Sequence, residues 1–249
     1  MVGRGLKAGN GWAKTWGVAA LGVLGVTVLS TTFVQKLVFT AYADSATAVI
    51  LAVAGLLLWK ILTTLSTAPD NFPARHEARV LSWQFALVVT VLLFLKQANL
   101  VLLVLVLGAG GIVALRDPQI RFFHFIRLLP IMLAPGVVTY FAWRYHVYLY
   151  LSGGEFSLMP FANWRVSQAF EIFARMLLIA SKKGAYFVMM GAITVMALRG
   201  LIRYRGALDR LAILTGAIFI GYNLFLWAMY VAAFGTYEGL RAASFWRYN

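Results

Sequence analysis

The sequence contains no cysteine, and few of its residues are charged. The absence of cysteine excludes disulfide bonds, thiolate metal sites and cysteine catalysis, although it does not identify the cellular compartment. Charged residues make up 12% of the 249 residues, whereas a soluble domain has roughly a quarter. This deficit of charge excludes an ordinary soluble domain.

The sequence is rich in hydrophobic residues, and many of them lie in long apolar runs. Hydrophobic residues make up 62% of the chain, and the mean hydropathy is +0.81. Runs of about 18 or more apolar residues indicate transmembrane helices, and the short alternating segments of a transmembrane barrel are not seen in the sequence. The sequence therefore predicts an all-α, polytopic helical integral membrane protein with a single transmembrane domain over residues 1–249.

The apolar runs predict seven transmembrane helices and one interfacial amphipathic helix. Lys96 and Gln97 divide a long apolar stretch into two helices joined by a tight hairpin, because one helix would be too long for the bilayer and would bury the lysine. Pro130 and Pro135 predict a kinked or broken fifth crossing. The amphipathic stretch 166–180 is interpreted as a helix in the membrane interface, with a tucked-in crossing helix as the alternative. The predicted crossings are residues 16–34, 45–63, 79–95, 98–115, 126–141, 185–198 and 211–234.

The net charge of +14, from 22 Lys and Arg against 8 Asp and Glu, predicts the orientation. The basic residues lie mostly in short loops, where they orient helices and meet anionic lipid, so nucleic acid is not an expected partner. The positive-inside rule predicts a cytoplasmic N-terminus and an outer C-terminus. The expected location is a bacterial inner membrane. Residues 16–34 are interpreted as a retained helix and not as a cleaved signal peptide, because Gln35 and Lys36 separate them from the small-residue stretch at 41–43.

This topology gathers several polar residues on the predicted outer side. They are Asp44, Lys96, Gln97, Glu155 and Glu238, together with an aromatic belt at residues 143–150. An acidic residue at a membrane helix is costly unless it faces water, a cavity or a partner. The three histidines have no ligand spacing, so neither a metal nor another cofactor is expected.

The order of these elements resembles that of GT-C type glycosyltransferases, membrane enzymes that use polyprenyl-phosphate-linked sugars. The features that carry the resemblance are Tyr42-Ala43-Asp44 before an apolar helix, Lys96-Gln97 between two short runs, the basic connector 116–127, and the polar tail with Glu238. Such enzymes usually place a catalytic acid in a large first outer loop, whereas this chain has a short segment in which Asp44 is the only acid. The resemblance therefore implies an active enzyme, a fragment, a split subunit or a relative that has lost activity.

The resemblance implies roles for individual residues. A carboxylate would deprotonate the acceptor hydroxyl, and Asp44 and Glu238 are the candidates. Cations would stabilise the departing phosphate. The implied substrate-binding residues are Tyr42, Lys96, Gln97, Arg144 and Arg165. Helix capping by Asp44 and an interfacial position for Lys96 are the competing structural interpretations.

Two other functions are consistent with the same sequence. A non-catalytic membrane subunit of a larger assembly would explain the missing acidic loop, and its partners would be membrane lipids and other membrane chains. A transporter would explain a helix broken at Pro130 and Pro135, although no internal repeat is visible.

Overall fold

The computed structural model describes residues 43–67, 72–150, 159–182, 184–204 and 206–242. Within these ranges the protein is all-helical, with 90% of residues in helices and no strand. The helices are α1 Ala43–Thr67, α2 Phe72–Leu95, α3 Leu100–Arg116, α4 Phe122–Tyr150, α5 Ala169–Ser181, α6 Gly184–Ile202, α7 Ala207–Ala232 and α8 Thr236–Arg241. This part of the chain confirms the predicted all-α class.

Four of these helices, α1, α2, α4 and α7, are long and apolar enough to cross a membrane. The shorter helices α3 and α6 are also apolar. These features are those of an integral membrane protein. The first predicted crossing, residues 16–34, lies outside the described residues, so the count of seven remains a prediction.

The helices pack as a bundle with two distinct ends. At one end, which we call the connector end, α1 leads to α2, α3 to α4, and α6 to α7. At the other, which we call the hairpin end, α2 turns into α3 through a short 3-10 turn at Gln97–Asn99. The main core lies between α1, α2, α3, α4 and α7, and its largest side chains include Phe85, Phe125 and Met132.

Local sequence explains where the helices end. Asp117 is extended (φ −81°, ψ 111°) after the last residue of α3, as expected for a residue that precedes a proline. Gly206 has φ +157° in the turn before α7, a conformation that residues with a Cβ rarely adopt. Lys96 and Gln97 end the apolar run of α2, which confirms the predicted division into two helices.

Of the two outcomes predicted for the fifth crossing, a kink or a break, the structure excludes the break. The helix α4 is continuous from Phe122 to Tyr150, with Pro130 and Pro135 inside it. A proline removes one backbone hydrogen bond, but the neighbouring residues Met132 and Gly136 are buried in the bundle. Packing against α2 therefore holds this part of α4 in place. The helix α4 is longer than the predicted crossing at 126–141, since it begins four residues earlier at Phe122 and ends nine residues later at Tyr150.

Candidate functional site

Asn99 joins the tip of the α2–α3 hairpin to the start of α1. Its buried side chain, 4% exposed, donates from Nδ2 to Thr47 Oγ1 at 3.1 Å and to the Leu92 carbonyl at 2.8 Å. The Asn99 backbone N–H donates to the Lys96 carbonyl at 2.9 Å. Since a buried amide is stable only when it is hydrogen-bonded, these contacts hold the Lys96 turn beside the first turns of α1.

The helix α4 projects beyond this hairpin. Gly136 packs against Leu93 and Thr90 of α2, and the two helices run in the same direction. Because α2 ends at Leu95 while α4 continues to Tyr150, the last ten residues of α4 rise roughly 15 Å above the end of α2 at 1.5 Å per residue. All of those ten side chains are exposed except Val147, which is half-buried.

The helix α7 also rises above the hairpin. Gly221 packs against Leu105 of α3, but α3 begins only five residues before that contact, whereas α7 runs eleven residues past it to Ala232. Helix α7 therefore extends roughly six residues, or about 9 Å, above the start of α3. The hairpin tip and the first turn of α1 thus lie lower than the ends of α4 and α7.

A layer formed by residues 159–182 and α8 covers the end of α7. In α5, Ile172, Met176 and Ala180 are buried against Tyr230 and its neighbours in α7. Trp227 Nε1 donates to the Ala169 carbonyl at 2.8 Å. The observed α5 matches the predicted helix at 166–180 in position, except that a 3-10 turn precedes it at Val166–Gln168.

Arg165 anchors this layer to α7. Its Nη1 donates to the Phe234 carbonyl at 2.7 Å and to the Tyr230 carbonyl at 3.4 Å, and its backbone N–H donates to the Val231 carbonyl at 3.1 Å. These carbonyls belong to the last turn of α7 and the residues after it, where a helix lacks donors of its own. The guanidinium of Arg165 therefore stabilises the end of α7.

The predicted site residues fall into separate groups at the hairpin end. Lys96 is half-buried at the hairpin tip, near the start of α1. Glu238 is half-buried in α8, in the layer that Arg165 anchors. Arg144 is exposed on the projecting part of α4. The structure thus brings Lys96 to the start of α1, and it places the Arg165 guanidinium beside Gly239, the residue after Glu238.

Other predicted site residues lie outside the described part of the chain. They are Tyr42 and Glu155, together with the side chains of Asp44 and Gln97. The backbone of Asp44 is described, and it lies in the first turn of α1, three residues before Thr47.

A buried ionic cluster at the connector end was not predicted. Arg210 Nε donates to Asp117 Oδ2 at 2.8 Å, and the Tyr204 hydroxyl donates to the same oxygen at 2.7 Å. The backbone N–H of Gln119 donates to Asp117 Oδ1 at 3.0 Å. Asp117 is 1% exposed and Arg210 is 4% exposed. The cluster therefore ties the α3–α4 connector to the α6–α7 turn.

The cluster changes the chemistry of Tyr204. Burial raises the pKa of the Tyr204 phenol, and its hydrogen bond to the Asp117 carboxylate raises it further, while Arg210 opposes both effects. The phenol is therefore protonated at neutral pH and donates its hydrogen bond to Asp117. Arg210 Nη1 is buried without a hydrogen-bond partner in the described part of the chain, which leaves Asp117 as its compensating charge.

Two more side chains, Arg116 and Trp59, form hydrogen bonds at the connector end. Arg116 donates from Nε to the Leu201 carbonyl and from Nη2 to the Ile202 carbonyl, at 2.7 Å for the second bond. Trp59 Nε1 donates to the Ala207 carbonyl at 3.1 Å. These bonds satisfy carbonyls at the end of α6 and the start of α7, so Arg116 and Trp59 hold the α6–α7 pair to α3 and α1.

The described residues contain no group of three or more His, Cys, Asp or Glu that is placed to hold a metal ion. No family model, curated protein or solved structure matches the chain. The long apolar helices support the class of helical integral membrane proteins, and function has to be argued from the residues themselves.

Proposed function

We propose that the protein acts on a polyprenyl-phosphate-linked sugar at the hairpin end, as a GT-C type glycosyltransferase or as a fragment or inactive relative of one. The observation that carries this proposal is the 3.1 Å hydrogen bond from Asn99 to Thr47. Lys96 lies three residues from one partner, and Asp44 lies three residues from the other. A cation and a carboxylate therefore belong to neighbouring turns.

The heights of the helices support the proposal. A lipid-linked donor needs a polar site at a membrane face, where its polyprenyl chain can remain in the bilayer. Lys96 and the start of α1 lie below the ends of α4 and α7, and the projecting part of α4 carries exposed aromatic side chains, including Trp143, Tyr145 and Tyr148. Tyrosine and tryptophan are typical of the membrane interface, where the apolar ring contacts lipid and the O–H or N–H group contacts water.

The chemistry assigns one role to each group. The Asp44 carboxylate takes the proton of the acceptor hydroxyl, the hydroxyl oxygen forms a bond to the anomeric carbon, and the bond from that carbon to the phosphate oxygen breaks. Polyprenyl phosphate leaves with the negative charge, which Lys96 stabilises. Glu238 is the second candidate base. The proposed location is the outer face of a bacterial inner membrane, with the C-terminus outside.

A transfer assay with a polyprenyl-phosphate sugar tests this proposal. The test variant is Asp44→Asn, and the matched control is Glu77→Gln, which removes an exposed carboxylate at the connector end. Because a general base contributes about 10²–10⁴-fold to rate, Asp44→Asn should lower transfer at least a hundredfold, while the control keeps wild-type activity. Equal activity of Asp44→Asn and wild type would remove Asp44 from the mechanism.

If the wild type shows no transfer activity, its binding of the polyprenyl-phosphate sugar is measured instead. A fragment or inactive relative should still bind the polyprenyl-phosphate sugar, and Lys96→Gln should weaken that binding. Absence of both transfer and binding by the wild type contradicts the proposal.

The second candidate function is a non-catalytic membrane subunit. It is favoured by the projecting end of α4, whose side chains from Phe141 to Tyr150 are exposed apart from the half-buried Val147, and by Arg165, which is engaged with the carbonyls of α7. Transport has less support, since the buried charged side chains that the structure describes, Asp117 and Arg210, lie at the connector end and not at mid-bundle.

A further inference from the structure

Helix α5 carries three strips of side chains that have different surroundings. One strip is buried against the end of α7, and the other two are exposed. At roughly 100° per residue, neighbouring strips are about 120° apart around the helix. The packed strip consists of Ile172, Met176 and Ala180, the apolar strip of Phe170, Ala174 and Leu177, and the charged strip of Glu171, Arg175 and Lys182.

The apolar strip is exposed although its side chains are hydrophobic. Phe170 is 82% exposed, and Leu177 and its neighbour Leu178 are exposed as well. One apolar face is enough to attach a surface helix to a protein core, and in α5 the packed strip already does this. A second apolar surface beside it indicates contact with something outside the described fold.

The contacts of α5 place it at the level where α7 ends. Helix α7 has 26 residues, about 39 Å at 1.5 Å per residue, which exceeds a hydrocarbon core of about 30 Å, so its end reaches the headgroup region. The buried α7 side chains in this contact, Leu226, Tyr230 and Val231, lie in its last two turns. Helix α5 itself has 13 residues, about 20 Å, which is too short to cross.

We propose that α5 lies in the membrane interface, with its packed strip on α7 and its apolar strip inserted between the lipids. The partner of the apolar strip is the acyl region of the bilayer just below the headgroups. The charged strip lies on the other side of the exposed surface, so Arg175 and Lys182 reach the headgroups while Phe170 and Leu177 contact acyl chains. This separation of charged and apolar side chains is typical of a helix in the plane of the interface.

A lipid fits the apolar strip better than a protein does. The strip consists of three side chains, one of them an alanine, and exposes far less than the roughly 800 Å² per partner that a stable protein–protein interface buries. The apolar helix α6 begins three residues after α5, at Gly184, so the chain enters the bilayer directly from this helix. The inference does not depend on the proposed function, which concerns the groups around Lys96 and Asp44.

Nitroxide labels on single cysteines test this placement. The chain contains no cysteine, so each variant carries one label. The full-length protein is reconstituted into vesicles of phosphatidylcholine and phosphatidylglycerol. Electron paramagnetic resonance then measures how often each label collides with oxygen, which concentrates in the bilayer, and with a water-soluble nickel chelate. The test variants are Phe170→Cys, Ala174→Cys and Leu177→Cys, and the matched controls on the same helix are Glu171→Cys, Arg175→Cys and Lys182→Cys.

Labels on the apolar strip should collide more with oxygen than with the chelate and should lie about 5–10 Å into the boundary between headgroups and acyl chains. Labels on the charged strip should show the reverse preference. Access of the chelate to all six labels would place α5 in water and overturn the proposal.

Two other results would also overturn the proposal. Exclusion of both reagents from the apolar strip would mean that protein, such as a second copy of this chain, covers it. A depth that increases steadily along α5, regardless of the strip, would mean that the helix enters the bilayer end-on. Ala174→Cys replaces a small exposed side chain, so this variant retains the fold and decides the question if Phe170→Cys does not fold.

Discussion

Replacing Asp117 by alanine should destabilise the protein more than any exposed substitution at the connector end. Asp117 accepts hydrogen bonds from Arg210, from the Tyr204 hydroxyl and from the backbone of Gln119. The alanine variant loses all three and leaves the Arg210 guanidinium buried. It also separates the α3–α4 connector from the α6–α7 turn.

The size of the effect follows from burial. Asp117 and Arg210 are at most 4% exposed, and removing one partner of a buried ion pair typically costs about 3–5 kcal/mol, because the remaining charge has no compensation. Replacing both partners by apolar residues of similar size is often close to neutral. The double variant Asp117→Leu with Arg210→Met should therefore be more stable than Asp117→Ala alone.

The free energy of unfolding can be measured in mixed detergent micelles by titration with sodium dodecyl sulfate, with helicity as the signal. The control is Glu77→Ala, which removes half of an exposed pair whose side chains are 46% and 56% accessible, so a loss of about 0–1 kcal/mol is expected. The argument from burial fails if Asp117→Ala costs no more than Glu77→Ala. It also fails if the double variant Asp117→Leu with Arg210→Met is no more stable than Asp117→Ala.

Three further substitutions test other parts of the fold. Arg165→Met removes hydrogen bonds from a charged donor to the end of α7 and should cost about 1.5–3 kcal/mol in the same titration; an unchanged free energy of unfolding would contradict that role. Gly216→Ala places a Cβ 2.6 Å from the Cβ of Ala197 and should cost about 1–3 kcal/mol, whereas Gly108→Ala, with nothing within 4 Å, should not destabilise; equal thermal stability of the two variants would refute the packing argument. The folded-state pKa of Tyr204 is raised above its usual value, so its contribution to stability is complete below about pH 10 and is lost as the pH rises further. Above about pH 10 the Tyr204→Phe variant should therefore lose less stability than the wild type. Parallel curves of the free energy of unfolding against pH for the two proteins would contradict this prediction.

Much of the helical architecture was predictable, because membrane helices depend on local sequence. An apolar run long enough to cross the bilayer must satisfy its own backbone hydrogen bonds, and a helix does so. The split at Lys96 and Gln97 was predictable for the same reason, since a lysine at mid-bilayer is costly. The continuity of α4 through Pro130 and Pro135 was not predictable, because it depends on packing against another helix.

The candidate sites also differ in how much of them could be predicted from the sequence. That Asp44 and Lys96 belong to one end followed from counting crossings, and the contact between Asn99 and Thr47, 52 residues apart, agrees with it. Whether those residues act on a substrate cannot be read from position, since an interfacial lysine and a catalytic lysine occupy the same kind of place in a sequence.

The Asp117 cluster shows why a buried pair is harder to find than a helix. The residues Arg116-Asp117-Pro118 indicate the end of a helix, and the sequence gives no further sign that Asp117 is buried. Its partner Arg210 is 93 residues away in the chain, in the first turn of α7. The sequence analysis attributes the arginines that precede it to membrane orientation. Three-dimensional packing alone distinguishes Arg210 from them, because only a buried guanidinium requires a carboxylate. A basic loop of a membrane protein therefore holds two kinds of arginine, those that face lipid or water and those that hold helices together. Asp117→Ala tests the second kind experimentally, since it leaves the Arg210 guanidinium buried without its carboxylate and should lower stability.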